Sequence, residues 1–166
     1  MRDRMAASPR ITIRPATPDD VELVAALIHA LAEYEKLAHE CRATPAALRE
    51  QLFGAGPAAE CLIGELDGVP RGFALYFTSF STFLCKPGLW LEDLFVVPEA
   101  RGAGLGKALL VELARLAIAR GCGRLEWNVL DWNAPAIEFY RALGARPMEE
   151  WTTMRIDGET LAALAR

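Results

Sequence analysis

Apolar and polar positions change period along the chain, and each change marks an element. Residues 11–14 read as a short first strand. Leu23, Val24, Leu27, Ile28 and Leu31 then fall on one face of a helix. Thr17 opens that helix, with Pro18 at its first position and Asp20 three residues after Thr17, close to a capping box. It runs to about Tyr34 and ends in the polar stretch Glu33, Tyr34, Glu35, Lys36. Thr44-Pro45 repeats the start signal and predicts a shorter helix to Phe53, stopped by Gly54 and Gly56. Two β-rich runs, 61–66 and 72–78, flank Asp67-Gly68, a hairpin signal. A further strand starts at Leu89 and neighbours them. Residues 79–88 between them read as a loop carrying Phe80, Phe83 and Leu84. Exposed aromatics are costly, so these either tuck under the sheet or line a ligand site.

In the second half, Leu105, Ala108, Leu109, Leu113, Leu116 and Ala117 keep helical spacing, ending near Arg120 with Gly121 beyond. Residues 124–130 form the next strand, broken by Glu126 and Asn128. Asn133 is placed to cap a helix that has Pro135 in its first turn and Gly144 past its end. Ile137, Tyr140 and Leu143 share one side of it. Residues 151–156 predict a late strand, and Asp157-Gly158 turns into a short terminal helix with Leu161 and Leu164. No repeat or long linker divides the chain. Strands followed by strand–helix–strand–helix–strand predict an α/β domain, a mixed sheet with helices on both faces.

Length and composition narrow this picture. The 166 residues suggest one domain over 10–166, preceded by a short disordered extension over 1–9. Hydrophobic residues make up 52%, enough for a buried core. No apolar run approaches the ~20 residues of a spanning helix, and the N-terminus has no apolar signal core, so a cytoplasmic protein is expected. The net charge of −4 and the lack of a basic stripe argue against nucleic acid. The same charge suits a cationic substrate or ordinary solubility. Cys41, Cys61, Cys85 and Cys122 form no CxxC pair, and His29 and His39 are the sole histidines. Reduced, mostly buried thiols and no metal are expected.

The chemistry concentrates in residues 89–110, LWLEDLFVVPEARGAGLGKALL. An apolar strand feeds a glycine-rich turn and a helix start, an arrangement that points backbone N–H groups at a phosphate. A dinucleotide fingerprint starting at Gly102 would need glycine at Lys107. A P-loop would need glycine at Arg101 and Ser or Thr at Ala108. What remains is Arg-x-x-Gly-x-Gly at the foot of a helix. Glycines there permit positive φ and close backbone approach, although tight packing of the helix start would also call for them.

Strand, VVPEARGAGLG and helix together resemble the acetyl-CoA-binding motif of the GNAT superfamily of N-acetyltransferases, with Arg101, Gly104 and Gly106 at its defining positions. LWLEDLFV and DWNAPAIEFYRALGA resemble its diamine acetyltransferase branch, whose members act on spermidine, spermine or thialysine. The similarity covers about residues 11–165. It implies the GNAT fold, a mixed, mostly antiparallel sheet splayed at the cofactor site. It implies acetyl transfer from acetyl-CoA to a primary amine of a small molecule, without an acyl-enzyme, by a homodimer with the C-terminal strand from Trp151 near the partner. A protein or peptide amine as acceptor, and a non-catalytic acyl-CoA-binding module, are the alternatives; the second needs neither Glu92 nor Tyr140.

The resemblance also implies roles. Leu94, Phe95, Val96, Arg101, Gly102, Ala103, Gly104, Leu105, Gly106 and Lys107 line the pantetheine and pyrophosphate. Asn133, Ala134, Pro135 and Ala136 approach the pantetheine or thiol end. Tyr34, Glu35, Glu92, Glu126, Trp127 and Asn128 match substrate-side positions. Glu92 is the implied general base, through a water, and Tyr140 the implied general acid. A lysine-like amine has a pKa of ~10.4, so about one molecule in a few thousand is a neutral nucleophile at pH 7, and a base is useful. Glu92 lies in an otherwise apolar strand, where burial would raise its pKa and improve it as a base. A thiolate leaving group, with a pKa of ~8.5, gains from a proton. The strand end at Leu94, Phe95 and Val96 is the expected oxyanion donor. Alternation sends Asp93 to the face opposite Glu92 unless a bulge intervenes. One feature departs from the polyamine enzymes, in which the loop before the central strand is acidic and contains Trp. Here residues 79–88 lack an acid and carry Lys86, which leaves smaller amines open.

Overall fold

The computed structural model describes residues 8–166, so most of the extension expected over 1–9 lies outside the described residues. Two compact units are present, one ending at Asn128 and one spanning Val129–Arg166.

The first unit holds a five-stranded sheet: β1 (Ile11–Pro15), β2 (Glu60–Leu66), β3 (Val69–Ser81), β4 (Lys86–Val96) and β5 (Leu125–Trp127). The strands lie side by side in chain order, the first three pairings antiparallel and β4–β5 parallel. Asp67 and Gly68 both take positive φ, 51° and 77°, as the tight turn of a two-residue hairpin requires.

Three helices belong to this unit: α1 (Val21–Tyr34), α2 (Pro45–Phe53) and α3 (Leu105–Ala119). The predicted capping box forms on a 3-10 turn that leads into α1. Asp20 Oδ2 accepts from the Thr17 N–H at 2.7 Å and from its hydroxyl at 3.0 Å. The same carboxylate grips Arg14 Nη1 and Nη2 at 2.8 and 2.9 Å, and Arg14 Nε reaches Glu65 Oε1 at 2.8 Å. β1, β2 and the entry to α1 are thereby joined. Thr44 Oγ1 caps α2 by accepting from the Ala47 N–H.

The sheet buries both faces. Val24, Leu27 and Leu31 of α1, with Leu48 and Leu52 of α2, pack on Cys61, Ile63, Phe73 and Phe95. Leu105, Leu109 and Leu113 bury the stripe of α3. A Cβ on Gly64 would lie 2.9 Å from Leu105 Cδ1, so the missing side chain lets α3 approach β2 closely. Arg120, past the end of α3, makes two bonds to Glu60 at 2.6 and 2.7 Å, and the Tyr76 hydroxyl donates to the same carboxylate.

Three expectations in this unit need correction. Residues 79–88 are not a loop: the β3–β4 ladder continues to Ser81↔Lys86, leaving only 82–85 as the hairpin tip. Continued pairing satisfies backbone groups that a loop would leave to water. Phe80 and Phe83 are exposed, Phe83 at 96%, so they do not tuck under the sheet. The strand expected over 124–130 is only Leu125–Trp127, because β5 pairs with no more of β4 than Leu89, Trp90 and Leu91. Among the thiols, Cys61 is buried, which pushes its pKa up to about 12, whereas Cys85 is exposed and Cys41 and Cys122 are half-buried. Mostly buried thiols were therefore too strong an expectation.

The second unit contains α4 (Ala134–Ala142) and α5 (Gly158–Leu164). Asn133 Oδ1 accepts from the Ala136 N–H at 3.4 Å, the predicted cap, and Gly144 closes the helix with φ 92°. The strand expected over 151–156 does not form. This unit offers it no strand to pair with, and Trp151, Met154 and Ile156 are exposed.

Candidate active site

β4 carries one residue too many for its partner. Asp93 lies opposite Leu75, and Leu91 lies opposite Tyr76. One step on β3 therefore spans two on β4, and Glu92 is the extra residue of a β-bulge. The bulge resets the side-chain alternation. Leu75, opposite Asp93, packs against the core beneath α1 and α2, as do Phe73 and its partner Phe95. Asp93 therefore faces α1, since cross-strand partners share a face. Trp90 is opposite Phe77, two residues from Leu75, and so shares that face. Its indole Nε1–H donates to Glu92 Oε2 at 3.0 Å, which draws Glu92 to the same side. Two consecutive carboxylates thus point one way.

Their surroundings differ. Glu92 is exposed, contrary to the burial expected for it, because the bulge lifts it out of the ladder. Asp93 is half-buried instead. Desolvation pushes its carboxyl pKa up to about 6, and the negative charges of Glu92 and Glu35 add to the rise. Glu35 follows the last turn of α1, its N–H bonded to the Leu31 carbonyl, and is itself raised by burial. Glu35, Glu92 and Asp93 form a carboxylate cluster from two elements. Sequence periodicity hides it, because a single inserted residue reverses the face assignment of everything after it.

Beyond the bulge, β4 runs on past β5 without pairing to it. At this point a 3-10 turn, Pro98–Ala100, leads to the glycine turn. Gly102 and Gly104 have φ of 83° and 88°, conformations that cost an L side chain about 1–2 kcal/mol. Gly104 is the N-cap of α3, whose first N–H groups have no partner within the helix. A Cβ on Gly102 would meet nothing within 4 Å, so the turn is open for a ligand to approach. The arrangement suits a pyrophosphate: free N–H donors, the positive end of a 15-residue helix, and Arg101 and Lys107 beside it.

Arg101 bridges two parts of the site. Its Nε donates to the Val96 carbonyl at 3.1 Å, and its guanidinium lies 4.5 Å from the Tyr34 ring centroid and 5.7 Å from that of Phe95. The end of α1 is thereby tied to the end of β4. Of the other expected substrate-side residues, Glu126 is half-buried and held by Arg124 Nε at 2.6 Å. Trp127 is half-buried and Asn128 exposed. In the second unit, Tyr140 lies in α4 with its ring 5.3 Å from that of Phe139. Ala134, Pro135 and Ala136 form the first turn of that helix. Among the described residues no cluster of three His, Cys, Asp or Glu is placed to hold a metal ion.

A mixed sheet with a bulged fourth strand, a parallel fifth strand that parts from it and a glycine-capped helix between them defines a class of α/β domain suited to a phosphate-bearing ligand. Residues 24–145 match the model of the acetyltransferase (GNAT) family, and the chain belongs to it. Its sequence is 37% identical to the thialysine N-epsilon-acetyltransferase of Bos taurus over 93% of this chain and 97% of that one. It is 32% identical to an L-ornithine N5-acetyltransferase of Arabidopsis thaliana, over 92% of this chain and 86% of the relative. These similarities place the chain in the diamine acetyltransferase-like branch, and it is an acetyltransferase. An integron cassette protein from the mobile metagenome of V. cholerae shares the fold with a TM-score of 0.78 and 27% identity, covering 94% of this chain and 98% of that one.

Proposed function

We propose that this protein transfers acetyl from acetyl-CoA to a primary amine of a small molecule, by direct attack within a ternary complex. The observation that carries this reading is that Glu92 and Asp93 of β4 and Glu35, just past the end of α1, act on one another electrostatically, in a unit that also carries the open glycine turn. Three carboxylates with Trp90 and Tyr34 nearby favour a cationic guest over a neutral one. The glycine turn suits the other substrate. The names of the relatives, which act on thialysine and on ornithine, support an amino acid with a side-chain amine, or a short diamine, as the acceptor. The hairpin tip adds no acid, and Lys86 stands at its base, which disfavours long polycations.

In the proposed reaction the acceptor's ammonium gives up a proton to a carboxylate of β4, for which the resemblance points to Glu92. The neutral amine attacks the thioester carbonyl. Backbone N–H groups of Leu94, Phe95 or Val96, on a strand edge that β5 leaves unpaired, suit the oxyanion. Tyr140 gives a proton to the departing thiolate. Arg101, Gly102, Ala103, Gly104, Leu105, Gly106 and Lys107 hold the pyrophosphate, while Asn133, Ala134, Pro135 and Ala136 serve the thiol end. Tyr34, Glu35, Glu126, Trp127 and Asn128 shape the acceptor side. No helix among the described residues is long and apolar enough to cross a membrane. We read the protein as a single-domain cytoplasmic homodimer. The exposed Trp151, Met154 and Ile156 support a role for the second unit in self-association.

Thiol release from acetyl-CoA across a panel of ornithine, thialysine, lysine, putrescine, spermidine and a lysine peptide tests this reading. Turnover with the small amines, above that with the peptide and spermidine, is expected. Binding of acetyl-CoA without turnover on any amine would refute it.

A further inference from the structure

Two pairs of side chains, each two residues apart on its strand, stand side by side on β4 and β5. On β4 the Trp90 indole N–H donates to Glu92 Oε2 at 3.0 Å. On β5, Glu126 is the register partner of Trp90 and so shares its face of the sheet. Arg124 precedes Glu126 by two residues, and its Nε lies 2.6 Å from Glu126 Oε2. We propose that Arg124 binds the α-carboxylate of the acceptor, so that the site selects an amino acid with a side-chain amine over the diamine that lacks the carboxylate. The proposal rests on the reading of the protein as a small-amine acetyltransferase and assigns the far end of the same site.

The strands hold Arg124 in place. Its carbonyl accepts from the Leu89 N–H at 3.0 Å. A Cβ on Gly88 would lie 2.8 Å from Ser79 Oγ and 3.5 Å from Arg124 Cγ, so the missing side chain lets the Arg124 stem lie against β4. Glu126 then engages Nε and turns the guanidinium back to the level of Trp90. Among the described residues Glu126 is the charged partner of Arg124, and the contact uses Nε alone. A guanidinium carries five N–H donors, so both terminal nitrogens are left for a second carboxylate. The Arg124 side chain is 45% exposed, open to a small anion.

Charge on this part of the sheet is divided to suit a zwitterion. Glu92 and Asp93, with Glu35, supply negative charge where β4 runs on past β5, which suits the reacting ammonium. An acceptor's own carboxylate would be repelled there. Arg124 supplies the opposite charge towards the start of β4. Without it, Glu126 would add a fourth carboxylate and raise the repulsion. Trp90 and Glu92 are two residues apart, about 7 Å of strand, close to the length of an extended ornithine or lysine side chain. Between the two ends the Trp90 indole, with the Phe77 ring 6.4 Å from it, offers the methylenes an apolar surface. Lys86, opposite Ser81, stands two residues further from Glu92 than Gly88 does, beyond that length.

The test compares acceptors that differ at this end alone: the faster of ornithine and lysine, its carboxamide, and the matching diamine, putrescine or cadaverine. The carboxamide keeps both amines and removes the negative charge. In the wild type, kcat/KM for the amino acid is expected to exceed that for either analogue about 10–100-fold, chiefly through KM. Arg124→Gln is expected to lower kcat/KM for the amino acid about 10-fold or more beyond any loss with the diamine, which levels the preference. Lys86→Gln is expected to retain it. Equal kcat/KM for amino acid and carboxamide in the wild type overturns the assignment, and that comparison holds even if Arg124→Gln does not fold. So does a preference that survives in Arg124→Gln, or one that disappears in Lys86→Gln alone. A wild type that acetylates no amine refutes the functional reading instead, and this assignment with it.

Discussion

Arg101 lies stacked on Tyr34, its guanidinium carbon 4.5 Å from the ring centroid, while its Nε holds the Val96 carbonyl. One side chain therefore fixes the end of the helix that carries Glu35 against the strand that carries Glu92 and Asp93. Arg101→Ala removes a cation–π contact and a hydrogen bond, each worth about 1 kcal/mol at an exposed site. Urea unfolding is expected to show a loss of about 1–2 kcal/mol, and the acceptor KM is expected to rise with the KM for acetyl-CoA. Arg101→Lys keeps the charge without the planar stack and is expected to recover less than half of either loss.

Asp93 lowers the stability of the fold at neutral pH. Its folded pKa of about 6 lies above the ordinary aspartate value, so the folded state binds more protons between about pH 4 and 6. Stability therefore falls as pH rises through that window and stays lower above it. Asp93→Asn is expected to raise the stability at pH 7.5 by up to about 3 kcal/mol, the equivalent of about two pKa units. The gain should shrink towards zero at pH 4. Thermal unfolding of both proteins at the two pH values measures it.

Local signals made the helices and the hairpin legible before any tertiary contact was known. Thr44 caps α2, Asn133 caps α4, Gly121 and Gly144 close their helices, and Asp67-Gly68 turns the β2–β3 hairpin, because each acts over three or four residues. The glycine turn and Arg101 were legible for the same reason. The bulge was not, since it is set by the register of β3 against β4 and not by the residues of β4 themselves. That single insertion moved Glu92 into solvent and Asp93 to the buried side. The span of β5 was hidden likewise, because pairing with β4 ends at Leu91, next to the bulge. Strand propensity over 151–156 misled, because a strand also needs a neighbour.

The Arg14–Asp20 pair should govern acid sensitivity. The guanidinium and the Thr17 N–H hold the Asp20 carboxyl well below its usual range. A depressed folded pKa contributes stability that is present above the unfolded value of ~3.9 and is lost as pH falls below it. Asp20→Asn also leaves Arg14 with Glu65 as its remaining charged partner. A loss of roughly 1.5–3 kcal/mol at pH 7, narrowing below pH 3, is expected from denaturant unfolding at the two pH values.

Gly104 is required for its conformation rather than for space. A Cβ there would come no nearer than 3.7 Å to Ile11 Cδ1, ordinary van der Waals contact, but φ is 88°. Gly104→Ala is expected to cost about 1–2 kcal/mol of stability from backbone strain. If the turn holds the pyrophosphate, acetyl-CoA affinity should fall about 10-fold or more in isothermal titration. Gly56→Ala, in the open segment after α2, should leave that affinity unchanged.

In the proposed reaction acetyl passes from acetyl-CoA to the nitrogen of a small amine. Incubation with acetyl-CoA labelled with carbon-13 at the carbonyl, together with ornithine or thialysine, and following the label by NMR, tests it directly. The label is expected to move from the thioester to an amide on the side-chain amine, at a rate that falls at least 10²-fold in Tyr140→Phe while acetyl-CoA still binds. Label that remains in the thioester, or appears only as acetate, would contradict it.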